Sequence, residues 1–316
     1  MEKEENSQMY GIILMSYGGP ESMDGIESFF THILQGRKPS PEQLKPITAQ
    51  YVALGTPDPL RTKTKRQAEA LEYVLKQSGL SEVKVYPAYK HAAPFIEDTI
   101  GQMIEEGVTQ IVTLPMTPFY TEKGVGQYQR TVQEELANRQ QTIPVYHIDN
   151  WHLHPEYITV IASRVQEALN WLPQSAREES TIVFTAHSQP GTEEKHEVYV
   201  RQFTELAEQV ALQLHVNNWR IAYRSARHKQ NWLGPDIKDV VREEAETGSK
   251  GVVACELLSL TNNIETLQEI GKDCQDVASK VGIHYVRTEF LDDSFDLICA
   301  LANITKEKLS RLELKV

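Results

Sequence analysis

Cysteine is scarce in this chain, and it has neither long apolar runs nor an excess of basic charge. Its three cysteines, Cys255, Cys274 and Cys299, show no CxxC spacing. They are too few for a disulfide framework and cannot by themselves supply the four thiolates of an iron–sulfur cluster, so no cluster is expected. No apolar stretch reaches the roughly 18 residues of a membrane-spanning helix. The start, Met1-Glu-Lys-Glu-Glu-Asn, is acidic where a secretory leader would be basic and then apolar. A net charge of −12 argues against general affinity for nucleic acid or anionic lipid, since both need a basic surface. The basic cluster Arg61-Thr-Lys63-Thr-Lys65-Arg66 offers anion contacts locally but, on an amphipathic stretch, reads first as a solvated helical face. A soluble, cytoplasmic, monomeric protein is expected, with no nucleic-acid partner and no membrane span.

Two nucleotide and hydrolase signatures are also missing. Gly18-Gly19-Pro20 lacks both the GxGxxG spacing and the Lys-Ser/Thr of a phosphate loop. Ser188 follows an apolar run, but neither glycine of GxSxG flanks it, so the tight turn of a nucleophile elbow is not encoded.

What the chain does have is a regular alternation of short apolar runs and amphipathic segments. Strands are predicted at Tyr10–Met15, Val83–Tyr89, Gln110–Leu114, Val145–Ile148, Thr181–Thr185, Arg220–Tyr223, Gly251–Cys255 and His284–Val286. Helices are predicted at Thr64–Gln77, Phe95–Glu106, Tyr157–Trp171, Glu197–Leu214 and Asp236–Glu246. Such alternation implies parallel sheets with right-handed crossovers. A long helical stretch without a strand, Pro155–Glu178, separates two groups of four strands. The fold class is therefore α/β, with two Rossmann-like lobes, each a four-stranded parallel sheet flanked by helices, and a cleft between them. The expected boundaries are 9–155, 156–305 and a tail at 306–316. The lobes echo each other: Met15-Ser-Tyr17-Gly-Gly-Pro20 opens the first and Thr185-Ala-His187-Ser-Gln-Pro190 the second.

Three carboxylates, Glu265, Glu269 and Asp273, recur every fourth residue and fall on one helical face. Like charges at that spacing weaken a helix, so the face is either solvated or used to hold cations. His187 ends one predicted strand and His91 follows another, at the sheet edge where open α/β sheets bind ligands. Two imidazoles and an acidic helix can take protons and pass a cation.

The chain resembles the ferrochelatase family, most nearly its bacterial coproporphyrin-type members. The likeness runs in order through Met15-Ser-Tyr17-Gly-Gly-Pro20, Phe30-Thr-His-Ile33, Gly36-Arg-Lys-Pro-Ser-Pro41, Lys90-His91 and Pro94-Phe-Ile-Glu-Asp98. It continues through Thr185-Ala-His187-Ser188, Tyr223-Arg-Ser225, Trp232-Leu-Gly-Pro235 and Asn263-Ile-Glu265. The resemblance implies insertion of a divalent metal, typically ferrous iron, into a tetrapyrrole held in the cleft. It makes His187 and Glu265 the catalytic pair on one face of the macrocycle. Metal would pass along His187, Glu265, Glu269 and Asp273, on a helix widened locally to a π-turn. Tyr17 would face His187 across the ring, with Lys90, His91, Tyr128 at the rim and Ser225 completing the substrate contacts.

Two departures from the family pattern stand out. Asn263 occupies a position that is usually His. At the entry, Leu34, Gln35, Gln50 and Asp58 replace the arginines and serine that hold propionates in coproporphyrin-type members, so binding of a multiply anionic porphyrin should weaken. The alternative is a non-catalytic paralogue that carries a tetrapyrrole or metal.

Overall fold

The computed structural model describes residues 8–54, 59–226 and 231–313. Strands β1 (Tyr10–Ser16), β2 (Val83–Tyr89), β3 (Gln110–Pro115) and β4 (Val145–His147) form one sheet in the order β2-β1-β3-β4. Strands β5 (Ser180–His187), β6 (Trp219–Arg224), β7 (Gly251–Glu256) and β8 (His284–Arg287) form a second, in the order β6-β5-β7-β8. Every strand pairing is parallel. The sequence dictates this: Ile12–Met15 and Val183–Phe184 are continuous apolar runs with no exposed surface, as strands covered on both faces must be.

In each sheet the chain leaves the first strand on one side and returns to its other side. That reversal opens a crevice at the carboxyl ends of β1 and β3 in one sheet, and of β5 and β7 in the other. The repeat extends to the second strands. Tyr89 at the end of β2 donates its N–H to the Pro94 carbonyl (2.9 Å), and Tyr223 near the end of β6 donates to that of Pro235 (2.8 Å). Both prolines follow cis peptide bonds. Ser16 pairs with Tyr89 and Ala186 with Tyr223, so Tyr17 and His187 hold equivalent positions, as do Lys90 and Arg224.

The predicted helices form at Leu60–Gln77, Ile96–Glu105, Pro155–Trp171, Glu197–Leu214 and Ile237–Thr247. Ile26–Ile33, Pro41–Leu54, Gln127–Asn138 and Phe295–Glu313 are further helices that the sequence reading did not name. No helix among the described residues is long and apolar enough to cross a membrane.

The compact units depart from the linear boundaries of the sequence reading. The first takes the chain through Met116, Glu122–Trp151 and everything from Asp292 onward; the second takes Thr117–Thr121 and His152–Leu291. The helix Phe295–Glu313 runs through 306 without a break, so no boundary falls there. The helix Phe295–Glu313 packs on Leu60–Gln77. Lys63 reaches Asp293 (3.0 Å) and Asp292 (3.3 Å), and Arg66 reaches Asp293 (2.8 Å). Part of the basic cluster therefore binds acidic side chains ahead of the last helix. Its bond to Asp293 raises the Lys63 pKa. The short excursion into the second unit follows from Phe119, whose ring meets Tyr199 and Phe203, and from Tyr120, whose N–H donates to Gln202.

Candidate active site

In the second unit, the last residue of β5 is His187, whose position is set at both ends. Tyr199 from the helix Glu197–Leu214 donates its hydroxyl to the His187 carbonyl (2.7 Å). The ring Nδ1 lies 2.5 Å from the Ser188 carbonyl, which can only accept, so Nδ1 carries the proton and Nε2 has a lone pair to offer. Ser188 itself is buried and donates to the Leu233 carbonyl (2.6 Å), which removes it as a nucleophile.

His187 Nε2 faces the Glu265 carboxylate at 3.6 Å. With the imidazole neutral, two acceptors confront each other, and a proton or a cation is what such a gap can receive. Burial, and then the nearby Arg224, lower the His187 pKa against the opposing pull of Glu265, so the neutral base is favoured.

Glu265 lies in the first turn of a helix capped by Asn263. The Asn263 side chain accepts from the N–H groups of Glu265 and Thr266 (both 3.1 Å), and Thr266 Oγ1 accepts from the Asn263 N–H (3.0 Å). Asn263 thus completes a capping box, a role an amide fills well. The following turns, Leu267–Asp273, are a π-helix, as the resemblance implied. Each of the three carboxylates has partners of its own. Glu269 accepts from the Ser225 N–H (2.6 Å) and hydroxyl (2.5 Å), and Asp273 accepts from Gln268 (2.7 Å). Ser225, expected to touch substrate, is buried and orients Glu269 from a left-handed backbone conformation (φ 58°). No group of three or more His, Cys, Asp or Glu side chains is gathered for a metal ion among the described residues. These carboxylates are separate stations.

Two residues that the sequence reading passed over complete this region. Arg224, the last residue of β6, is buried and donates to Glu265 (3.0 Å), Glu256 (3.2 Å) and Ser259 Oγ (2.9 Å). Glu256 ends β7 and accepts from the N–H groups of Leu258 (3.2 Å) and Ser259 (3.0 Å). Burial works to lower the Arg224 pKa, but Glu256, Glu265 and Glu269 together outweigh it and raise it. Burial also raises the Glu256 pKa against the pull of Arg224. Each residue ends its own strand, the one usable signal in the sequence.

In the first unit, Tyr17 follows β1 and is 45% exposed, its ring 4.6 Å from that of His91. His91 Nδ1 meets His32 Nδ1 at 3.0 Å, so one imidazole donates and the other accepts. Burial, then Lys90 and His32, push the His91 pKa down to about 4. Lys90 donates to the Lys123 carbonyl (2.8 Å). Gly18 is held at φ 93° against Tyr89 and Ala92, where a Cβ would come within 3.0 Å of the Ala92 Cβ, so the Gly18-Gly19-Pro20 turn is a packing device. Tyr128, expected at a rim, is instead buried in the core with Ile13, Met15, Ile96 and Val132, because its helical face packs on the sheet. Leu34 and Gln50 are partly buried and Gln35 is exposed; Asp58 lies outside the described residues.

The family profile described as Ferrochelatase matches residues 9–309. The coproporphyrin III ferrochelatase of Bacillus mycoides (strain KBAB4) is 32% identical over 305 residues, covering 94% of this chain and 97% of that protein. That of Bacillus subtilis (strain 168) is 30% identical, covering 95% and 98%, and the ferrochelatase of Deinococcus radiodurans is 31% identical, covering 97% and 98%. Among solved structures, SirB from Bacillus subtilis with Fe3+ shares the fold with a TM-score of 0.62 at 13% identity, over 97% of this chain and 98% of that one. The profile match across residues 9–309 and these relatives at 30–32% identity over nearly the whole chain place it in the ferrochelatase family of lyase-type chelatases.

Proposed function

We propose that the protein inserts a divalent metal, ferrous iron first, into a tetrapyrrole such as coproporphyrin III, with His187 and Glu265 as the catalytic pair. The observation that carries this reading is the 3.6 Å gap between the unprotonated Nε2 of His187 and the carboxylate of Glu265. Insertion requires that two pyrrole N–H protons leave while the cation sheds water. A neutral imidazole whose pKa is held down accepts a proton at neutral pH, and an adjacent carboxylate offers a hard ligand to the arriving metal. Glu269 and Asp273, further along the same helix, are proposed to hand the metal on toward Glu265. Tyr17, Lys90 and His91 are proposed as tetrapyrrole contacts; Tyr128, being in the core, is not among them. The metal is a substrate, and no further cofactor is invoked.

Relatives named coproporphyrin III ferrochelatase support a porphyrin with propionate groups as substrate. Leu34, Gln35 and Gln50 lack the charge to pair with those groups, which favours a ring with fewer or differently placed carboxylates. A second reading, a tetrapyrrole or metal carrier, draws on the prior engagement of Glu265 by Arg224 and of Glu269 by Ser225. Anaerobic absorbance assays of the purified protein with several porphyrins and Fe2+, Zn2+ or Co2+ separate the two. Catalytic metallation supports insertion; stoichiometric binding of an unchanged ring supports the carrier.

A further inference from the structure

Glu265 sits in a first helical turn with its side chain 40% exposed, a setting in which a carboxylate ordinarily samples several rotamers. Arg224 restricts it. Its side chain is only 4% exposed, which keeps it from serving a ligand in solvent, and its guanidinium is fixed at three points, two at the end of β7 and one on the helix that carries Glu265. Nε is bound to Glu256, Nη2 to Ser259 and Nη1 to the same Glu265 oxygen that faces His187. Glu256 is itself immobilised by two backbone N–H donors. A continuous rigid path therefore runs from the end of β7 through Glu256 and Arg224 to Glu265.

The charges fit the same purpose. A lone arginine beside Glu265 would repel an arriving dication. Glu256 cancels the arginine, so the charge of Glu265 stays available. Because Glu256 and Ser259 fix the guanidinium plane, its one bond to Glu265 points in a set direction, which an ammonium on a flexible stem would not ensure.

We propose that Arg224, clamped by Glu256 and Ser259, is a positioning residue for metal insertion that holds the Glu265 carboxylate at His187 Nε2. The inference rests on the insertion reading above and adds a residue, with its counter-ion, that acts only through Glu265.

The test compares wild type, Arg224→Gln, Arg224→Lys and Arg220→Met, with coproporphyrin III and Zn2+ as substrates. Arg220 belongs to the same strand and pairs with Glu243 and Glu244 (2.8 and 2.9 Å), so its loss reports the cost of a strand ion pair alone. Arg224→Gln should lower kcat by roughly 10- to 100-fold, the scale of an ångström-level misplacement, with KM for the porphyrin within about twofold. Arg224→Lys should recover part of the rate, and Arg220→Met should keep it. Because Arg224→Gln strands the buried Glu256, the double variant Arg224→Gln/Glu256→Gln replaces it should the single variant fail to fold, and should show the same loss. A folded variant with wild-type kcat overturns the inference. A crystal structure of the same variant decides the positioning independently of turnover. Glu265 displaced from His187 supports it, and Glu265 still in place overturns it. A wild-type protein that metallates no porphyrin, beside a variant in which Glu265 has moved, overturns the insertion reading and leaves the positioning intact.

Discussion

The two sheets have the same strand order and the same closure after the second strand, yet they carry opposite chemistry at equivalent positions. Where β5 leads to His187, β1 leads to Tyr17. Where β6 ends in Arg224, locked into carboxylates, β2 is followed by Lys90, which donates to a backbone carbonyl. Where β7 ends in Glu256, β3 ends in Pro115, the equivalent residue by register to Met15 and Thr185. The scaffold accounts for where a ligand can be met, and the side chains at three strand ends account for what can be done to it. In the second unit those ends bring an imidazole, a carboxylate and a paired cation; in the first they bring a phenol, an ammonium bound to a backbone carbonyl, and a proline.

The largest expected effect breaks the comparison at its centre. His187→Ala should lower the rate of metal insertion about 10²- to 10⁴-fold, the usual contribution of a positioned general base, whereas Tyr17→Phe at the equivalent position should cost less than about tenfold. Steady-state kinetics on folded variants checks both, and equal losses would erase the distinction between the units.

The next effect concerns substrate binding by the first unit. Restoring Arg at Gln50 should tighten coproporphyrin III binding by about tenfold or more, since a charge-assisted contact is worth about 1.5–3 kcal/mol. The gain should shrink as salt rises, which fluorescence quenching can follow.

A smaller change is expected along the π-helix. Replacing Glu269 and Asp273 by amides should raise the KM for metal several-fold, and more than the KM for the tetrapyrrole. Equal shifts in both would mark the helix as structural only.

The smallest concerns pH. Because the folded His187 pKa is lowered, the base stays unprotonated as pH falls past the ordinary imidazole value of about 6.5, and the acid limb of kcat should appear only below it. His91, held near 4, contributes stability that is present above about 6.5 and is lost as pH falls toward 4, because the unfolded chain takes up the proton first. His91→Gln should flatten that part of the Tm profile.

All eight strands were legible, because β-branched and apolar runs bounded by turns leave little choice in a covered parallel sheet. His187 was legible from its place after one such run. The Arg224–Glu256 contact was not, since 32 residues separate the partners and only the sheet brings β6 and β7 to either side of β5. The same distance problem hid the role of Lys63, whose acidic partner Asp293 lies 230 residues away, and with it the return of the last helix to the first unit. Tyr128 was placed at a rim by the resemblance alone, while its helical face packs on the sheet. Pro41–Leu54 escaped notice with a proline inside it, and Gln127–Asn138 because polar residues dominate it. Asn263 stood out as a departure from the family's usual His and serves as a helix cap.

The most direct test is an anaerobic absorbance time course with coproporphyrin III and Fe2+, run on wild type and on Glu265→Gln. The account predicts that the bands of the free porphyrin give way to those of the metallated ring with wild type, and persist with Glu265→Gln although the porphyrin still binds. Metallation at the same rate by both proteins would contradict the assignment of this chemistry to the second unit.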